Sequence, residues 1–142
     1  MRPITEIIIH CSDTPEGKDY KADDIRRWHT LPPPRGNGWK DIGYHYVIDI
    51  DGTIEPGRPI DQVGAHCKGH NQNTIGICYV GGKRNGEHAD TRNRHQDFSL
   101  RCLIKWLKTK YPTITKVSGH RDYAPKACPC FDAHAAYQIL VE

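Results

Sequence analysis

Two histidines and one cysteine stand where three ligands of a single metal ion could converge. His10 closes the run Ile7-Ile8-Ile9-His10, and His120 closes Val117-Ser118-Gly119-His120. Both runs read as strands, and sites in open α/β sheets gather at the carboxyl ends of strands. Cys128 follows eight residues after His120, inside the proline-flanked segment Ala124-Pro125-Lys126-Ala127-Cys128-Pro129. Two imidazoles and a thiolate leave the fourth position of a tetrahedral zinc open to water. Such a site lowers the pKa of its water from about 15.7 to about 7 and polarises a scissile carbonyl, which is the chemistry of hydrolysis. Lys126 lies two residues before Cys128. In an extended segment, residues i and i+2 point the same way, so its ammonium could stabilise an oxyanion beside the metal. Tyr44, opening a strand after Gly43, offers a phenol for the zinc-bound water or that oxyanion.

Spacing alone leaves other readings open. Nine histidines make chance arrangements easy. A histidine at a strand end can be a hydrogen-bonded structural residue, Cys128 a buried thiol, Lys126 a solvated surface lysine and Tyr44 core packing. Cys128 with His120 could also serve as nucleophile and base of a metal-free thiol hydrolase. Chelation separates the two mechanisms, since it removes zinc and leaves the thiol.

The elements that must position these groups follow from periodicity. Residues 4–10 and the apolar run 74–80, closed by Gly81-Gly82, read as strands, with 115–119 as a short one. Residues 44–50 alternate, with Tyr44, Tyr46, Ile48 and Ile50 on one face and His45, Val47 and Asp49 on the other. Asp51-Gly52 signals a hairpin whose return strand begins at Thr53-Ile54-Glu55. Helices are expected at 19–29, with Ile25 and Trp28 on one face, at 96–110 and at 133–141. In the second of these, Phe98, Cys102 and Trp106 with Leu103 and Leu107 follow helical spacing, and Pro112 ends it. Trp28 and Trp106 are expected in the core, Trp39 in the core or a groove wall. Residues 31–38 can only be a loop, and 83–94 reads as an exposed one. Mixed strands and helices around one sheet make an α/β or α+β domain.

The chain of 142 residues fits one domain, spanning 1–142, with 26% charged and 37% hydrophobic residues. A net charge of +3 suits an anionic surface such as a cell wall and is too weak to argue for nucleic acid. No run approaches the ~18 apolar residues of a membrane span. Met1-Arg2-Pro3-Ile4 shows no signal-peptide features, so synthesis in the cytoplasm is expected. Six cysteines are an even number, but cytoplasmic synthesis argues against a disulfide framework. Most are expected as buried thiols.

Six segments occur in one order across nearly the whole chain. They are Ile9-His10-Cys11-Ser12, Trp39-Lys40-Asp41-Ile42-Gly43-Tyr44-His45-Tyr46, Asp51-Gly52-Thr53-Ile54-Glu55-Pro56-Gly57-Arg58, Val63-Gly64-Ala65-His66, Asn73-Thr74-Ile75-Gly76-Ile77 and Ala124-Pro125-Lys126-Ala127-Cys128-Pro129. The series resembles the type 2 N-acetylmuramoyl-L-alanine amidases, the family of amidase-type phage lysozymes and animal peptidoglycan recognition proteins. The resemblance implies a mixed α/β domain, its central mixed sheet flanked by helices, with a zinc site at one edge of a groove. It implies one Zn2+ held by His10, His120 and Cys128, catalytic roles for Tyr44 and Lys126, and substrate contacts from His66 and His45. The implied reaction cuts the amide between the muramic acid lactyl group and L-alanine of peptidoglycan. A phage or prophage lysis enzyme, released to the wall through a membrane pore and acting as a monomer, is the expected form. Members that bind peptidoglycan without cutting it typically lack the cysteine ligand, which is present here. Some phage members also bind the phage RNA polymerase, and no residue of this sequence marks such an interface. The Pro32-Pro33-Pro34 loop and Cys130, where serine is common, are local departures.

Overall fold

The computed structural model describes residues 1–142. In chain order the elements are β1 (Glu6–Cys11), β2 (Thr14–Pro15), α1 (Ala22–Thr30), β3 (Tyr46–Ile48), β4 (Ile54–Pro56), β5 (Thr74–Tyr79), β6 (Gly82–Arg84), β7 (Glu87–His88), α2 (Arg94–Lys110), β8 (Lys116–Gly119) and α3 (Ala133–Tyr137). The main sheet runs β4-β3-β5-β1-β8. β3, β5, β1 and β8 are parallel, and only β4, joined to β3 by the Asp51-Gly52 turn, is antiparallel. Ile7, Ile8 and Ile9 are all fully buried, because β1 is an interior strand covered on both faces. The register that sets Ile9 opposite Gly119 makes the next residues, His10 and His120, neighbours at the carboxyl ends of adjacent strands.

The two faces of the sheet are unlike. Ile7, Ile9, Ile75, Ile77, Tyr79 and Val117 form one core with Leu100, Leu103, Ile104 and Leu107 of α2 and with Ala133 and Tyr137 of α3. On the other face Val47 and Cys78 pack against Ala22 and Ile25 of α1. The period of two sends His10, Thr74, Gly76 and Ser118 to this second face as well. α1 covers only part of it, and polar groups collect on the rest.

α2 starts on a capping box, in which Asn93 Oδ1 accepts the Gln96 N–H at 2.8 Å and Gln96 Oε1 accepts the Asn93 N–H at 3.2 Å. Its buried stripe is Gln96, Ser99, Leu100, Leu103, Ile104 and Leu107. Phe98, Cys102 and Trp106 therefore lie about 160–240° around the helix from Leu100 and face solvent. Trp106 is 50% exposed and Trp28 36%, so the core placement of both tryptophans is corrected. The sheet needs a single aliphatic stripe from each helix, and Leu100, Ile104 and Ile25 supply it.

Three other expectations change. The 83–94 stretch holds a hairpin, β6–β7, whose Asn85 and Gly86 both have positive φ (53° and 79°). Asn-Gly is a strong two-residue hairpin signal, so this element was legible in the sequence. The strand at 44–50 is shorter than its alternation, and the terminal helix passes into a 3-10 turn at Gln138–Val141.

Where β3 ends, Asp49 is 2% exposed. Its Oδ2 is 3.5 Å from Lys21 Nζ, and its Oδ1 has no hydrogen-bond partner. Burial, and then Glu55 on the adjacent strand, push its carboxyl up to about 7. A carboxyl raised above its unfolded value favours the folded state at low pH. That contribution fades between pH ~4 and the folded pKa. Asp49→Asn, which keeps the neutral shape, is expected to gain about 2 kcal/mol relative to wild type between pH 5 and pH 8.5. Urea unfolding midpoints at the two pH values check this, and an unchanged gap would count against it.

Candidate metal centre

The rings of His10 and His120 sit with centroids 4.7 Å apart, as the β1–β8 register requires. The third donor comes from the loop after β8, which folds in tight turns rather than the extended course expected from its prolines. Arg121 N–H donates to Cys128 O (2.8 Å), Lys126 N–H to Ala124 O (2.8 Å) and Cys130 N–H to Ala127 O (2.7 Å). Tyr79 Oη donates to Pro129 O at 2.6 Å and ties the loop to β5. Gly119 permits this approach, because a Cβ there would come within 2.8 Å of Pro129 Cδ. The Cys11 N–H donates to Cys128 Sγ at 3.2 Å and fixes the position of the sulfur.

One donor atom each from His10, His120 and Cys128 lies within 4.8 Å of the others. Cys128 Sγ is 3.9 Å from His10 Nδ1, so this nitrogen faces the centre. Two imidazole nitrogens and one sulfur suit zinc in chemistry and number, with one position left open.

Behind His10 runs a buried relay. His10 Nε2 is 2.9 Å from His66 Nδ1, His66 Nε2 is 3.2 Å from Thr74 Oγ1, and Thr74 Oγ1 donates to His70 O at 2.7 Å. The directions fix one another. Thr74 spends its hydrogen on the carbonyl, so it accepts from His66 Nε2–H. His66 Nδ1 then accepts from His10 Nε2–H, and the lone pair of His10 Nδ1 is free for a metal. The scheme requires neutral rings. Burial first, and then the neighbouring histidines, hold His10 well below its ordinary range and His66 at about 3. Gly76 leaves room for the relay, since a Cβ there would lie 2.6 Å from the His66 ring.

A cleft of about 700 Å³ opens beside the centre, walled by Trp39, Ala65, His66, Lys68, Asn71, His120, Tyr123 and Lys126. His66 thus shows an edge to the cleft while both ring nitrogens are engaged behind it. His45 is 1% exposed and does not line the cleft. Its Nδ1 accepts the Gly76 N–H at 3.1 Å, and its Nε2 meets Gln62 O at 2.8 Å. Tyr44 lies over His10 at 5.0 Å between ring centroids. Burial raises its phenol well above the ordinary range, so it remains a hydrogen-bond donor at neutral pH. Lys126 stands exposed on the cleft rim.

Sequence reasoning did not single out Lys68, Asn71 or Tyr123. Asn71 Oδ1 accepts the N–H groups of His66 (3.0 Å) and Cys67 (2.9 Å) and so shapes the loop carrying His66. Tyr123 stacks on His70 at 3.9 Å and donates to Glu6 Oε2 at 2.6 Å. No local pattern distinguishes these from ordinary loop residues.

Fold and site together define a small mixed-sheet enzyme with its reactive groups at the carboxyl ends of two parallel strands. Residues 1–131 match the family model for N-acetylmuramoyl-L-alanine amidase. The chain is 44% identical over 131 residues to an endolysin of Klebsiella phage KP32, covering 90% of this chain and 82% of that one. It is 42% identical over 127 residues to the endolysin of Escherichia phage T7, covering 89% and 80%. Among solved structures, the N-acetylmuramoyl-L-alanine amidase LysC from Clostridium intestinale superposes with a TM-score of 0.76 at 30% identity, over 90% of this chain and 77% of that one. Drosophila PGRP-LB gives 0.77 at 28% identity, over 95% and 79%. The chain belongs to the N-acetylmuramoyl-L-alanine amidase family, and it is an amidase.

Proposed function

We propose that the chain is a zinc-dependent phage lysis amidase that cuts the bond between the muramic acid lactyl carbonyl and L-alanine. The convergence of His10, His120 and Cys128 at one end of the cleft carries this reading. Zinc held by these three residues would supply a Lewis acid and a nucleophilic water near neutral pH. The remaining work falls to the chain itself. The cleft orients the muramyl peptide with its scissile carbonyl toward the His10–His120 end. The protonated Tyr44 phenol donates a hydrogen bond at that end, and the Lys126 ammonium stabilises negative charge as it develops on the carbonyl oxygen. The amine of L-alanine leaves. The relay through His66 and Thr74 holds His10 in the tautomer that presents Nδ1. The phage origin of the endolysin relatives supports a lysis role, with the enzyme reaching the wall through a membrane pore. No helix is long and apolar enough to cross a membrane.

Digestion of purified peptidoglycan tests the bond assignment. New amino termini on L-alanine without new reducing sugars are expected, and reducing sugars would overturn the reading. A second prediction concerns the relay. His66→Ala is expected to weaken zinc binding by about 10–100-fold with the fold retained. Competition against a chromophoric chelator reads this directly, and wild-type affinity in the variant would remove His66 from the metal's support.

A further inference from the structure

Three thiols meet where β1 joins the loop after β8, and only one belongs to the metal donor set. Cys11 Sγ is 3.9 Å from Cys130 Sγ. On another side Cys11 meets Cys128, whose Sγ takes the Cys11 N–H at 3.2 Å and lies 3.9 Å from Cys11 O. Cys11 therefore has two candidate disulfide partners with opposite consequences. Bonding to Cys128 would consume a metal ligand, whereas bonding to Cys130 would spare it.

The geometry separates the two. Cys128 Sγ is turned toward His10 Nδ1, 3.9 Å away, and belongs to the His10, His120, Cys128 donor group. Cys130 Sγ is turned away from the centre, toward Cys11 Sγ and Gly82 O (3.4 Å). Cys130 holds φ at +71°, a left-handed conformation that directs its side chain back onto β1 and β6. Cys11 is 4% exposed, while Cys130 is partly open to solvent, so a reagent reaches Cys130 first. We propose that Cys11 and Cys130 are a disulfide-forming pair, and that Cys130 keeps Cys11 from capturing the ligand Cys128 when the protein is oxidised.

The chemistry is a balanced thiol–disulfide exchange. The Cys130 thiolate attacks a small disulfide such as oxidised glutathione, forms a mixed disulfide and releases one thiolate. Cys11, deprotonated, then attacks the Cys130 sulfur and expels the second. Two protein thiols are oxidised by two electrons, and the reagent is reduced to two thiols. Closing the bond requires the sulfurs to move from 3.9 Å to about 2.05 Å, within reach of side-chain rotation and a small loop shift. The product would staple the strand end carrying His10 to the loop carrying Cys128. Its biological setting rests on the proposed lysis role, which takes the enzyme from a reducing cytoplasm to the cell envelope, where disulfides persist.

The test uses the zinc-loaded full chain and its Cys130→Ser variant, incubated with oxidised glutathione. The contact with Cys128 and burial raise the Cys11 thiol, and burial raises that of Cys130, so the exchange is slow and is followed for hours at pH 8.5. In wild type, a loss of ~2 Da, a Cys11–Cys130 linked peptide, retained zinc and a melting temperature higher by ~5 °C or more are expected. Cys130→Ser is expected to lose zinc several-fold faster as Cys11–Cys128 forms. A Cys11–Cys128 link in wild type, or no intramolecular link at all, overturns the pair. Equal zinc retention in the two proteins overturns the protective role of Cys130. These readouts need no peptidoglycan, so their failure is distinguishable from failure of the amidase assignment.

Discussion

Cys128→Ser is expected to leave a folded protein without zinc and with amidase activity reduced at least ~10³-fold. A serine hydroxyl stays protonated where a thiol can ionise, so the donor set loses its one anionic member and its softest atom. The fold survives because Cys128 sits in a loop held by other bonds. The Tyr79 Oη bond to Pro129 O and the Arg121 N–H bond to Cys128 O do not involve the sulfur. Metal content by mass spectrometry, circular dichroism and release of L-alanine termini read the three parts separately. Wild type is expected to gain thermal stability with added zinc, as any ligand of the native state confers, and the variant to gain none. Chelation of the wild type, rather than this variant, decides between mechanisms. A thiol nucleophile would also be lost with Cys128, but wild-type activity would then survive a chelator. Chelator-sensitive activity persisting at full level in Cys128→Ser would sink the ligand assignment.

What was legible in the sequence followed physical rules that act locally. The strand ending in His10 could be read because three consecutive isoleucines need burial on both sides. A short strand before His120 was also expected, and the parallel β1–β8 pairing makes the two histidines neighbours. The end of α2 was marked by Pro112, while its start lies at Arg94, two residues before the expected Gln96, because Asn93, which opens the capping box with Gln96, falls in the stretch that reads as loop. What was hidden depends on partners distant in sequence. Nothing near Val63-Gly64-Ala65-His66 says that its imidazole will accept a hydrogen bond from His10, 56 residues earlier, and donate one to Thr74. The choice of buried face on α2 was misjudged because two apolar sectors, one through Leu103 and Leu107 and one through Phe98 and Trp106, share one helix. Only the sheet decides between them. The prolines around Lys126 suggested an extended segment, but backbone bonds from Lys126, Cys130 and Arg121 turn it on itself.

Lys126→Ala is expected to keep zinc at wild-type affinity and lose about 10²–10³ in kcat, the range measured for removing one oxyanion-stabilising donor. The reasoning separates Lys126 from the ligands. Its side chain lies on the cleft rim, exposed and outside the His10, His120, Cys128 donor group, so its loss should cost neither metal nor fold. An ammonium beside a carbonyl gains most when that oxygen becomes negative, so the effect should fall on kcat rather than KM. Lys126→Arg should recover part of the rate, because it restores charge with a different reach. The cleft offers an opposing role, since Lys68 is also among its lining residues and stem peptides carry carboxylates. If Lys126→Ala raises KM and leaves kcat intact, Lys126 binds the peptide and charge stabilisation belongs to Tyr44. If kcat falls alone, Lys126 acts on the transition state, and Lys68 is the cation left to hold the peptide.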